Sequence, residues 1–419
     1  MNMCSATTQK GKTSRYNLLY CSGSDHALWN TRTGAFDRIS AEAYALLCSG
    51  QLSALDASAL ERFTAMGAII PEDMDELAMV VDRQRSGCEH APLYFRILTT
   101  TACNAHCPYC YEKGFSLHTM DADCARSTAA FILRRYEEQS LPVTLEWYGG
   151  EPLMNPRAIS LICEALQAAD VPFVSNLTTN GLLLTPALME VLVHVWRTHA
   201  VQITIEAVHA AYAREKGVPR DSFRRLLASM EQLLQSGVRV KVRINDSGGG
   251  SAPKKVIRCL HRRFGTHRNL KIYLSPMYLR EQMLSAARMR RILHFEQELF
   301  RLGYADAARY YRFPPCRSRC FACTAGGYTI APDGGLFNCS HVLDAAHRLG
   351  TVFEPDAALP GRQRYTNAPL SEGCRACVCL PICGGGCRTG ELGEADMFQC
   401  FPYRSVLPEI MAIRLKQKT

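Results

Sequence analysis

The cysteines of this chain are the residues whose spacing points most directly to chemistry. The stretch TTTACNAHCPYCYE carries Cys103, Cys107 and Cys110 in the spacing Cys-x3-Cys-x2-Cys. Three thiolates from one short loop can hold three irons of a cubane iron–sulfur cluster and leave the fourth iron open to an external ligand. Zinc is the structural alternative, but a structural zinc site closes with four ligands, and only His106 could supply the fourth in this loop.

A second, denser group of cysteines lies between residues 316 and 400. Its members are Cys316, Cys320, Cys323, Cys339, Cys374, Cys377, Cys379, Cys383, Cys387 and Cys400. Disulfides would not explain such clustering in a cytoplasmic chain. Clustered cysteines in a reducing compartment indicate metal ligands, although paired Cys-x2-Cys motifs also occur in zinc ribbons.

The elements that must position the first group follow an alternating pattern between Pro92 and Gly303. Six apolar, β-branched runs, from LYFRILTT to NLKIYLS, are separated by longer helical stretches. Strand and helix at this spacing indicate parallel β/α units. Six strands are too few for a complete eight-stranded barrel, so the sequence predicts an α/β fold with an open, partial (β/α)6 TIM-like barrel over residues 91–303. Its chemistry is expected at the carboxyl ends of the strands, where the Cys103 loop falls.

Different patterns flank this predicted barrel. Residues 1–90 contain the strand-like runs LLYCS, HALWN and AFDRIS, followed by helical patterns beginning near Ala41, Ser53 and Glu72. This order is typical of a winged-helix-like binding module, with a structural cap on the barrel as the alternative. Residues 304–419 are rich in Cys, Gly and Pro. Such a segment cannot build a large apolar core, so bound metal is expected to hold it together.

Composition and charge exclude several classes of function. The 419 residues carry a net charge of +9, without a basic run interleaved with aromatic residues, so no nucleic-acid partner is predicted. A mild basic excess would suit an acidic peptide through long-range steering. No stretch approaches the roughly 20 apolar residues of a membrane helix, and the first residues lack an apolar signal core. A soluble, cytoplasmic protein without a membrane partner is expected.

The cysteine loop resembles that of the radical S-adenosylmethionine superfamily, with Tyr109 at the aromatic position before its last cysteine. The segment Gly149-Gly150-Glu151-Pro152 resembles the one that binds the methionine amino group through its backbone and the Glu151 carboxylate. Thr178-Thr179-Asn180-Gly181 resembles the ribose-contacting turn, although a helix-capping turn is the alternative. The implied cofactor contacts are Tyr109, Gly149, Gly150, Glu151, Thr179, Asn180 and Arg214.

Arg214 is the arginine that the resemblance assigns to the cofactor carboxylate, after the fourth predicted strand. The family usually has Asp-Gly after this strand, whereas this chain has Glu206-Ala207, which puts the local loop geometry in doubt. Arg243 and Asn245, at the end of the fifth strand, could also face the site. The implied mechanism is transfer of one electron from the reduced cluster to the bound sulfonium, which yields methionine and a 5′-deoxyadenosyl radical that abstracts a substrate hydrogen.

The later cysteines resemble the SPASM extension, which holds two auxiliary clusters, so that three [4Fe-4S] clusters are expected in all. The resemblance assigns Cys374, Cys377, Cys383 and Cys400 to the outer cluster. It assigns Cys320, Cys339 and Cys387 to the inner one, with Cys316 preferred over Cys323 as the fourth ligand and an open inner cluster as a third possibility. Cys379 is extra to the pattern.

Two enzyme branches and one other class compete for the function. The runs LWNTRTGAFDRISAEAYALL and CPYCYEKG resemble ribosomal-peptide maturases. The resemblance implies that an N-terminal winged-helix element grips the leader of a precursor peptide, that a flavodoxin or ferredoxin supplies electrons, and that a crosslink forms, with a thioether preferred. Anaerobic sulfatase-maturating enzymes have an Asp after the cysteine equivalent to Cys339, where this chain has Ser340-His341. A non-catalytic iron–sulfur electron carrier or binding protein is the third alternative.

Overall fold

The computed structural model describes residues 11–110, 112–246, 252–276, 285–305, 307–318, 320–354, 359–362, 364–365, 367–393 and 400–416. In chain order its strands are β1 (Gly11–Thr13), β2 (Asn17–Ser22), β3 (Asp25–Asn30), β4 (Phe36–Arg38), β5 (Ile69–Pro71), β6 (Leu93–Thr100), β7 (Val143–Gly149), β8 (Phe173–Thr179), β9 (Thr198–Thr204), β10 (Arg239–Asp246), β11 (Leu270–Pro276), β12 (Gly327–Ile330), β13 (Gly335–Phe337) and β14 (Gly350–Thr351).

The α-helices of the same residues are α1 (Ala41–Ser49), α2 (Ala57–Ala65), α3 (Glu76–Glu89), α4 (Ala122–Gln139), α5 (Pro156–Ala168), α6 (Pro186–Glu190), α7 (His209–Lys216), α8 (Ser222–Gln235), α9 (Ala252–Phe264), α10 (Ala286–Arg301), α11 (Ala307–Tyr310), α12 (Glu372–Arg375), α13 (Leu380–Cys383), α14 (Arg388–Glu391) and α15 (Leu407–Lys416). None of them is both long and apolar enough to cross a membrane.

The amino-terminal unit has the predicted order of strands followed by helices. Strands β2, β3 and β4 form an antiparallel sheet with β3 in the middle, and β1 pairs with β5. The second and third helices begin later than expected, at Ala57 and Glu76, because Asp56 and Asp75 cap them by accepting hydrogen bonds from the backbone N–H of Ala59 and Ala78. The winged-helix assignment itself stays a prediction.

The main sheet contains the six parallel strands that the sequence predicts. Strands β6 to β11 are hydrogen-bonded to one another in chain order, all in parallel. Alternate residues of each strand, such as Val240, Val242 and Ile244 in β10, are buried in one core with residues of the surrounding helices. The residues between them are partly exposed on the opposite face, because successive side chains of a strand point to opposite sides.

The sheet continues beyond the predicted boundary at residue 303. Strand β12 pairs in parallel with β6, and β13 and β14 extend the sheet in antiparallel fashion. The ring of Tyr328 in β12 stacks on Phe95 of β6, with 5.5 Å between the ring centroids. The carboxyl-terminal segment is therefore held partly by strand pairing and apolar packing, and not by metal alone as its composition suggested. It also covers the edge that β6 would otherwise expose.

The amino-terminal unit docks on the cysteine-rich segment through main-chain carbonyl groups. Arg15 donates a hydrogen bond to the carbonyl of Arg375, Thr31 to that of Val378 and Gln84 to that of Leu380, over distances of 2.9, 2.5 and 3.2 Å. A small apolar cluster that includes Trp29, Cys379 and Met411 packs beside these bonds. The first and last parts of the chain thus form one interface.

A buried carboxylate joins α10 to the aromatic residues of the carboxyl-terminal segment. Glu296 is fully buried and accepts hydrogen bonds from the hydroxyl groups of Tyr310, Tyr311 and Tyr403 over 3.0, 2.6 and 2.6 Å. Burial raises the pKa of Glu296 above its ordinary value of 4.5, and the three tyrosine donors oppose that shift. The folded protein therefore binds a proton at this site more readily than the unfolded chain does.

We expect the stability of the wild-type protein relative to Glu296→Gln to rise as the pH falls. Because the pKa of Glu296 is higher in the folded state than in the unfolded chain, protonation of Glu296 stabilises the fold. This stabilisation is complete below the unfolded-state pKa and is lost as the pH rises through the folded-state pKa, by about 1.4 kcal/mol for each pH unit between the two pKa values. Urea unfolding of both proteins from about pH 8 to about pH 5 measures the difference. Glu137→Gln, on the exposed face of α4, is the control, and parallel pH curves for Glu296→Gln and wild type would contradict the prediction.

Candidate active site

The loop that carries Cys103, Cys107 and Cys110 follows β6 and is closed at its base. The backbone N–H of Thr101 donates to the carbonyl of His118 over 2.9 Å, which brings the end of the loop back to its beginning. Cys103 and Cys110 are exposed residues with partly buried thiols, and Cys107 is a half-buried residue. Burial raises the pKa of Cys103, and the nearby thiols of Cys107 and Cys110 raise it further. The structure therefore brings the three predicted ligands together at the carboxyl end of β6.

The glycines after β7 allow the backbone to approach this loop closely. A Cβ at Gly149 would collide with the carbonyl oxygen of Thr100, and one at Gly150 with that of Ala102. Gly149 also has a φ of +115°, which glycine adopts without strain. The backbone N–H groups of Gly150 and Glu151 donate to the carbonyls of Thr100 and Ala102 over 3.0 and 2.9 Å. The end of β7 is thus bonded directly to the base of the cysteine loop.

The carboxylate of Glu151 lies between the ends of β7 and β8 and is fully buried. One oxygen accepts from the Thr179 hydroxyl over 2.7 Å and from the Leu153 N–H over 3.1 Å, and the other accepts from the Asn180 N–H over 2.8 Å. Burial raises the pKa of Glu151, and these three donors oppose the shift. In this arrangement the carboxylate positions the Thr179-Asn180 turn, while its contact with the methionine amino group stays a prediction.

Asn180 connects the same turn to the cysteine loop. Its amide nitrogen donates to the side-chain oxygen of Asn104 over 2.6 Å and lies 3.9 Å from the sulfur of Cys103. The following residue, Gly181, has a φ of +77°, and a Cβ there would lie 2.5 Å from a methyl carbon of Leu226. The predicted ribose turn therefore lies beside the predicted cluster ligands.

Tyr109 belongs to a buried polar network that the sequence did not reveal. Its hydroxyl donates to Glu206 and accepts from the ammonium of Lys216 over 2.8 Å. Lys216 is 3% exposed, and its ammonium lies 3.0 Å from the other oxygen of Glu206. Asn245, at the end of β10, donates to Glu206 over 3.1 Å. Glu206-Ala207 stands after the fourth barrel strand, where the family usually has Asp-Gly. In this chain the carboxylate of Glu206 thus holds the cysteine loop in place.

The arginine predicted to bind the cofactor carboxylate is exposed. Arg214 lies on α7, two residues before Lys216, whose ammonium is the cation within the network. The carbonyl of Lys216 accepts from the His106 N–H over 2.7 Å, and Gly217 follows with a φ of +63°. A Cβ at Gly217 would lie 3.0 Å from the Cβ of His106. The end of α7 therefore contacts the cysteine loop through Lys216 and Gly217, and the role of Arg214 stays a prediction.

The structure also places the predicted inner auxiliary ligands near one another. Burial raises the pKa of Cys339 to about 11, and the thiols of Cys320 and Cys387 contribute to the increase. Cys387 likewise adds to the raised pKa of Cys320. Such mutual effects require the three sulfurs to lie close together, although the residues are far apart in the sequence.

The predicted outer ligands form a separate neighbourhood. Burial raises the pKa of Cys383 to about 11, with further contributions from Cys400 and Cys374. A hydrogen bond from Cys379 lowers the pKa of Cys377 to about 6, although burial opposes the shift. Cys379, which was extra to the pattern, thus stabilises the thiolate of a predicted ligand.

The two alternatives for the fourth inner ligand lie in different places. Cys323 belongs to a buried cluster with Cys339 and Cys88. The backbone N–H of Cys316 instead donates to the carbonyl of Pro381, in the segment of the outer ligands, over 2.7 Å. Packing therefore favours Cys323 over the preferred Cys316, and the choice between them stays a prediction.

The donor sets suit clusters by their chemistry. Over the described ranges, no three His, Cys, Asp or Glu side chains converge as the ligands of a single metal ion would. A cubane cluster instead takes its thiolates on different irons, so its ligands surround it more widely. No disulfide joins the cysteines that the structure describes. These thiols are therefore available as ligands, while the auxiliary clusters stay proposals.

Between the two groups of cysteines lies an ion pair that neither motif predicted. The guanidinium of Arg96 in β6 contacts Glu146 in β7 through two nitrogens over 2.8 and 2.7 Å, and donates to the Ser340 hydroxyl over 2.9 Å. Burial and then the charges of Arg96 and Arg243 lower the pKa of His341 to about 4. The Ser340-His341 pair therefore lies against the polar face of the sheet, with His341 neutral near pH 7.

This arrangement defines a class of protein: an α/β enzyme with a thiol-rich site at the carboxyl ends of parallel strands. Residues 97–246 match the family model described as the Radical SAM superfamily. Residues 97–246 are therefore a radical SAM domain, and the chain is an enzyme. The alternative of a non-catalytic electron carrier or binding protein is therefore wrong.

Two curated proteins are among its relatives. A serine-type anaerobic sulfatase-maturating enzyme of Klebsiella aerogenes is 25% identical over 381 residues, which cover 77% of this chain and 86% of that protein. A PqqA peptide cyclase of Ruegeria pomeroyi is 25% identical over 339 residues, which cover 73% of this chain and 84% of that protein.

Two solved structures share the fold. Native anSMEcpe with bound AdoMet has a TM-score of 0.58 and 15% identity, and the match covers 77% of this chain and 100% of that one. Streptococcus suis SuiB bound to precursor peptide SuiA has a TM-score of 0.54 and 15% identity, and the match covers 94% of this chain and 99% of that one.

We expect Lys216→Met to lower the free energy of unfolding by about 3 kcal/mol. The substitution leaves the carboxylate of Glu206 buried without its cation, which is one of the larger penalties that a single change can produce. Urea unfolding under anaerobic conditions measures the loss.

Arg214→Met is the matched control because Arg214 is exposed on the same helix, and its effect on stability should stay within about 0.5 kcal/mol. Calorimetric titration of both variants with S-adenosylmethionine tests the predicted role of Arg214. Weaker binding at unchanged stability would support that role. Equal losses of stability in the two variants would contradict the importance of the Lys216 network.

Proposed function

We propose that this enzyme modifies a ribosomally made precursor peptide and forms a crosslink, with a thioether as the preferred product. The observation that carries the proposal is a contact on the polar face of the sheet: Arg96 of β6, the strand that leads into the Cys103 loop, donates to the hydroxyl of Ser340, the residue after Cys339. When bound, the cluster and S-adenosylmethionine would supply one-electron cleavage of the sulfonium and removal of one hydrogen atom from the peptide. Closing the crosslink would release a second electron, to one of the proposed auxiliary clusters, and a proton.

The chain's own residues hold this site in place. Glu151 fixes the turn at Thr179 and Asn180, and Glu206 with Lys216 fixes Tyr109, so that loops from several strands keep one geometry. Such buried, satisfied networks favour precise positioning of a reacting centre. Cys103, Cys107 and Cys110 are the proposed ligands of the first [4Fe-4S] cluster, and residues 304–419 are the proposed SPASM domain with two further clusters.

Residues 1–90 are proposed to bind the leader of the precursor. In the described sheet of this unit, β2 and β4 each pair with β3 alone, so each offers an edge to which an extended peptide can add by main-chain hydrogen bonds. The likeness to SuiB, whose structure holds a precursor peptide, spans 94% of this chain, against 77% for anSMEcpe. That coverage supports an amino-terminal unit of the peptide-maturase kind. An external flavodoxin or ferredoxin is the proposed electron donor.

The alternative function is maturation of a sulfatase by oxidation of a Ser or Cys to formylglycine. The curated relatives named as serine-type anaerobic sulfatase-maturating enzymes favour it. Against it stands the Ser340-His341 pair at the position where the resemblance requires an Asp base. The hydroxyl of Ser340 accepts a hydrogen bond from Arg96 and carries no charge.

The test uses the anaerobically reconstituted enzyme with dithionite, S-adenosylmethionine and synthetic short peptides encoded beside its gene. We expect release of 5′-deoxyadenosine and loss of two hydrogens from one of the peptides, detected by mass spectrometry. A sulfatase-derived peptide carrying Ser or Cys is the parallel substrate. Formylglycine in that peptide, with no change in the others, would replace the proposal by its alternative.

Iron content tests the proposed ligands separately. Three [4Fe-4S] clusters should give about 12 iron atoms per chain. The triple variant with Ala at positions 103, 107 and 110 should lose about four of them and release no 5′-deoxyadenosine. Cys163→Ala, at a buried thiol of α5 remote from both groups, is the control and should keep its full iron content. Unchanged iron in the triple variant would contradict the assignment.

A further inference from the structure

The polar face of the main sheet carries a row of basic side chains that the proposed chemistry does not use. Arg239, Lys241 and Arg243 are alternate residues of β10, so all three lie on the face opposite the buried Val240 and Val242. Arg239 is exposed near the amino end of the strand, whereas Lys241 and Arg243 are half-buried in its middle. Half-buried Lys and Arg side chains are unusual unless a negatively charged group lies beside them.

Neither of the two half-buried cations is paired with a carboxylate. Arg243 donates through Nε to the side-chain oxygen of Asn245 over 2.8 Å. No hydrogen bond or ion pair joins Lys241, or the terminal nitrogens of Arg243, to an acidic residue within the described ranges. Burial lowers the pKa of Lys241, the positive charges of Arg239 and Lys271 lower it further, and the charge of Glu146 opposes them. The neighbouring cations thus outweigh the one carboxylate that acts on Lys241.

The acidic residues on the same face are already engaged. Glu146 accepts from Arg96 over 2.8 Å and from the hydroxyl of Tyr94. Glu206 is bound by Lys216 and by the Tyr109 network. Their charges are thus matched by other cations, and among the described residues no carboxylate is left to match the charge of Arg243.

The position of Arg243 relates this charge to the proposed reaction. Its neighbours in register are Thr204 of β9 and Tyr273 of β11, and the hydroxyl of Tyr273 donates to Gln202 over 2.6 Å. Arg243 lies two residues before Asn245, which contacts the network below the Cys103 loop. A rise of about 3.3 Å per residue places Arg243 about 10 Å below the end of β10 at residue 246. A group bound there lies deeper than a cofactor at the strand ends.

We propose that Arg243, reinforced by Lys241, forms a subsite for the side-chain carboxylate of an Asp or Glu in the substrate peptide. The guanidinium fork matches a carboxylate geometrically, and the half-buried setting strengthens the attraction. The subsite holds the acidic residue in the sheet face so that a neighbouring residue of the peptide lies below the cysteine loop. The inference rests on the proposed function, since it names a feature of the peptide which that function requires.

Two synthetic probes test the subsite without catalysis. They are acetyl-Gly-Glu-Gly-amide and acetyl-Gly-Gln-Gly-amide, whose binding to the reconstituted enzyme is measured by saturation-transfer nuclear magnetic resonance. We expect the wild type to bind the Glu peptide at least tenfold more tightly than the Gln peptide, and Arg243→Gln to lose this preference. Arg239→Gln, on the same face of the same strand but exposed, is the matched control and should keep it. Equal binding of the two peptides to wild type would overturn the proposal.

The substrate peptide found in the activity assay provides the second test. Replacing its acidic residues one at a time by Asn or Gln should raise KM at least tenfold at one position in wild type, and the same replacement should have little further effect in Arg243→Gln. The affinity for S-adenosylmethionine is measured in parallel. A loss of that affinity equal to the rise in peptide KM would assign the carboxylate to the cofactor and overturn the proposal.

The two proposals fail in different ways. If the enzyme binds the Glu peptide more tightly through Arg243 but modifies no peptide, the subsite is supported and the maturase function is contradicted. If the enzyme modifies a peptide whose acidic residues can all be replaced, the maturase function is supported and the subsite is contradicted.

Discussion

The buried carboxylate of Glu151 is the constraint on which the site depends. It accepts three hydrogen bonds from Leu153 after β7 and from Thr179 and Asn180 at the end of β8, while the backbone N–H of the same residue binds the carbonyl of Ala102 at the start of the cysteine loop. A carboxylate without water is tolerated only when donors surround it. The hydrogen bonds that this one residue requires therefore fix the ends of β6, β7 and β8. The thiols of the cysteine loop, which begins at the end of β6, are positioned as a result.

A second network closes the site from the other side. Glu206 after β9 and Lys216 on α7 bind the hydroxyl of Tyr109 and hold the far end of the cysteine loop, and Asn245 on β10 donates to Glu206. The loop is thus supported at both ends by buried carboxylates, each matched by its own donors. The strands that carry these groups bury their alternate apolar residues in a single core, so the rigidity of the core is transmitted to the polar face.

The contact between the amino-terminal unit and residues 375–380 joins the proposed leader-binding unit to the segment of the proposed outer cluster. Arg15, Thr31 and Gln84 bind main-chain carbonyls, so the contact depends on the path of the backbone and not on the side chains of the cysteine-rich segment. Under the proposed function, the unit that receives the leader thus packs directly on the loop that carries Cys374 and Cys377. The leader-binding unit and the segment of the outer cluster would then share one interface.

The sequence by itself determined the six parallel strands, the position of the cysteine loop after the first of them and the glycines that follow the second. Strand periodicity and ligand spacing are local properties, so predicted and observed bounds differ by at most three residues in β6 to β11. Tertiary structure alone decided that Lys216 meets Tyr109, 107 residues away, and that β12 pairs with β6. It also placed Cys323 in one buried cluster with Cys339. These contacts join residues that no local pattern relates, because they form only when the core brings separate elements together.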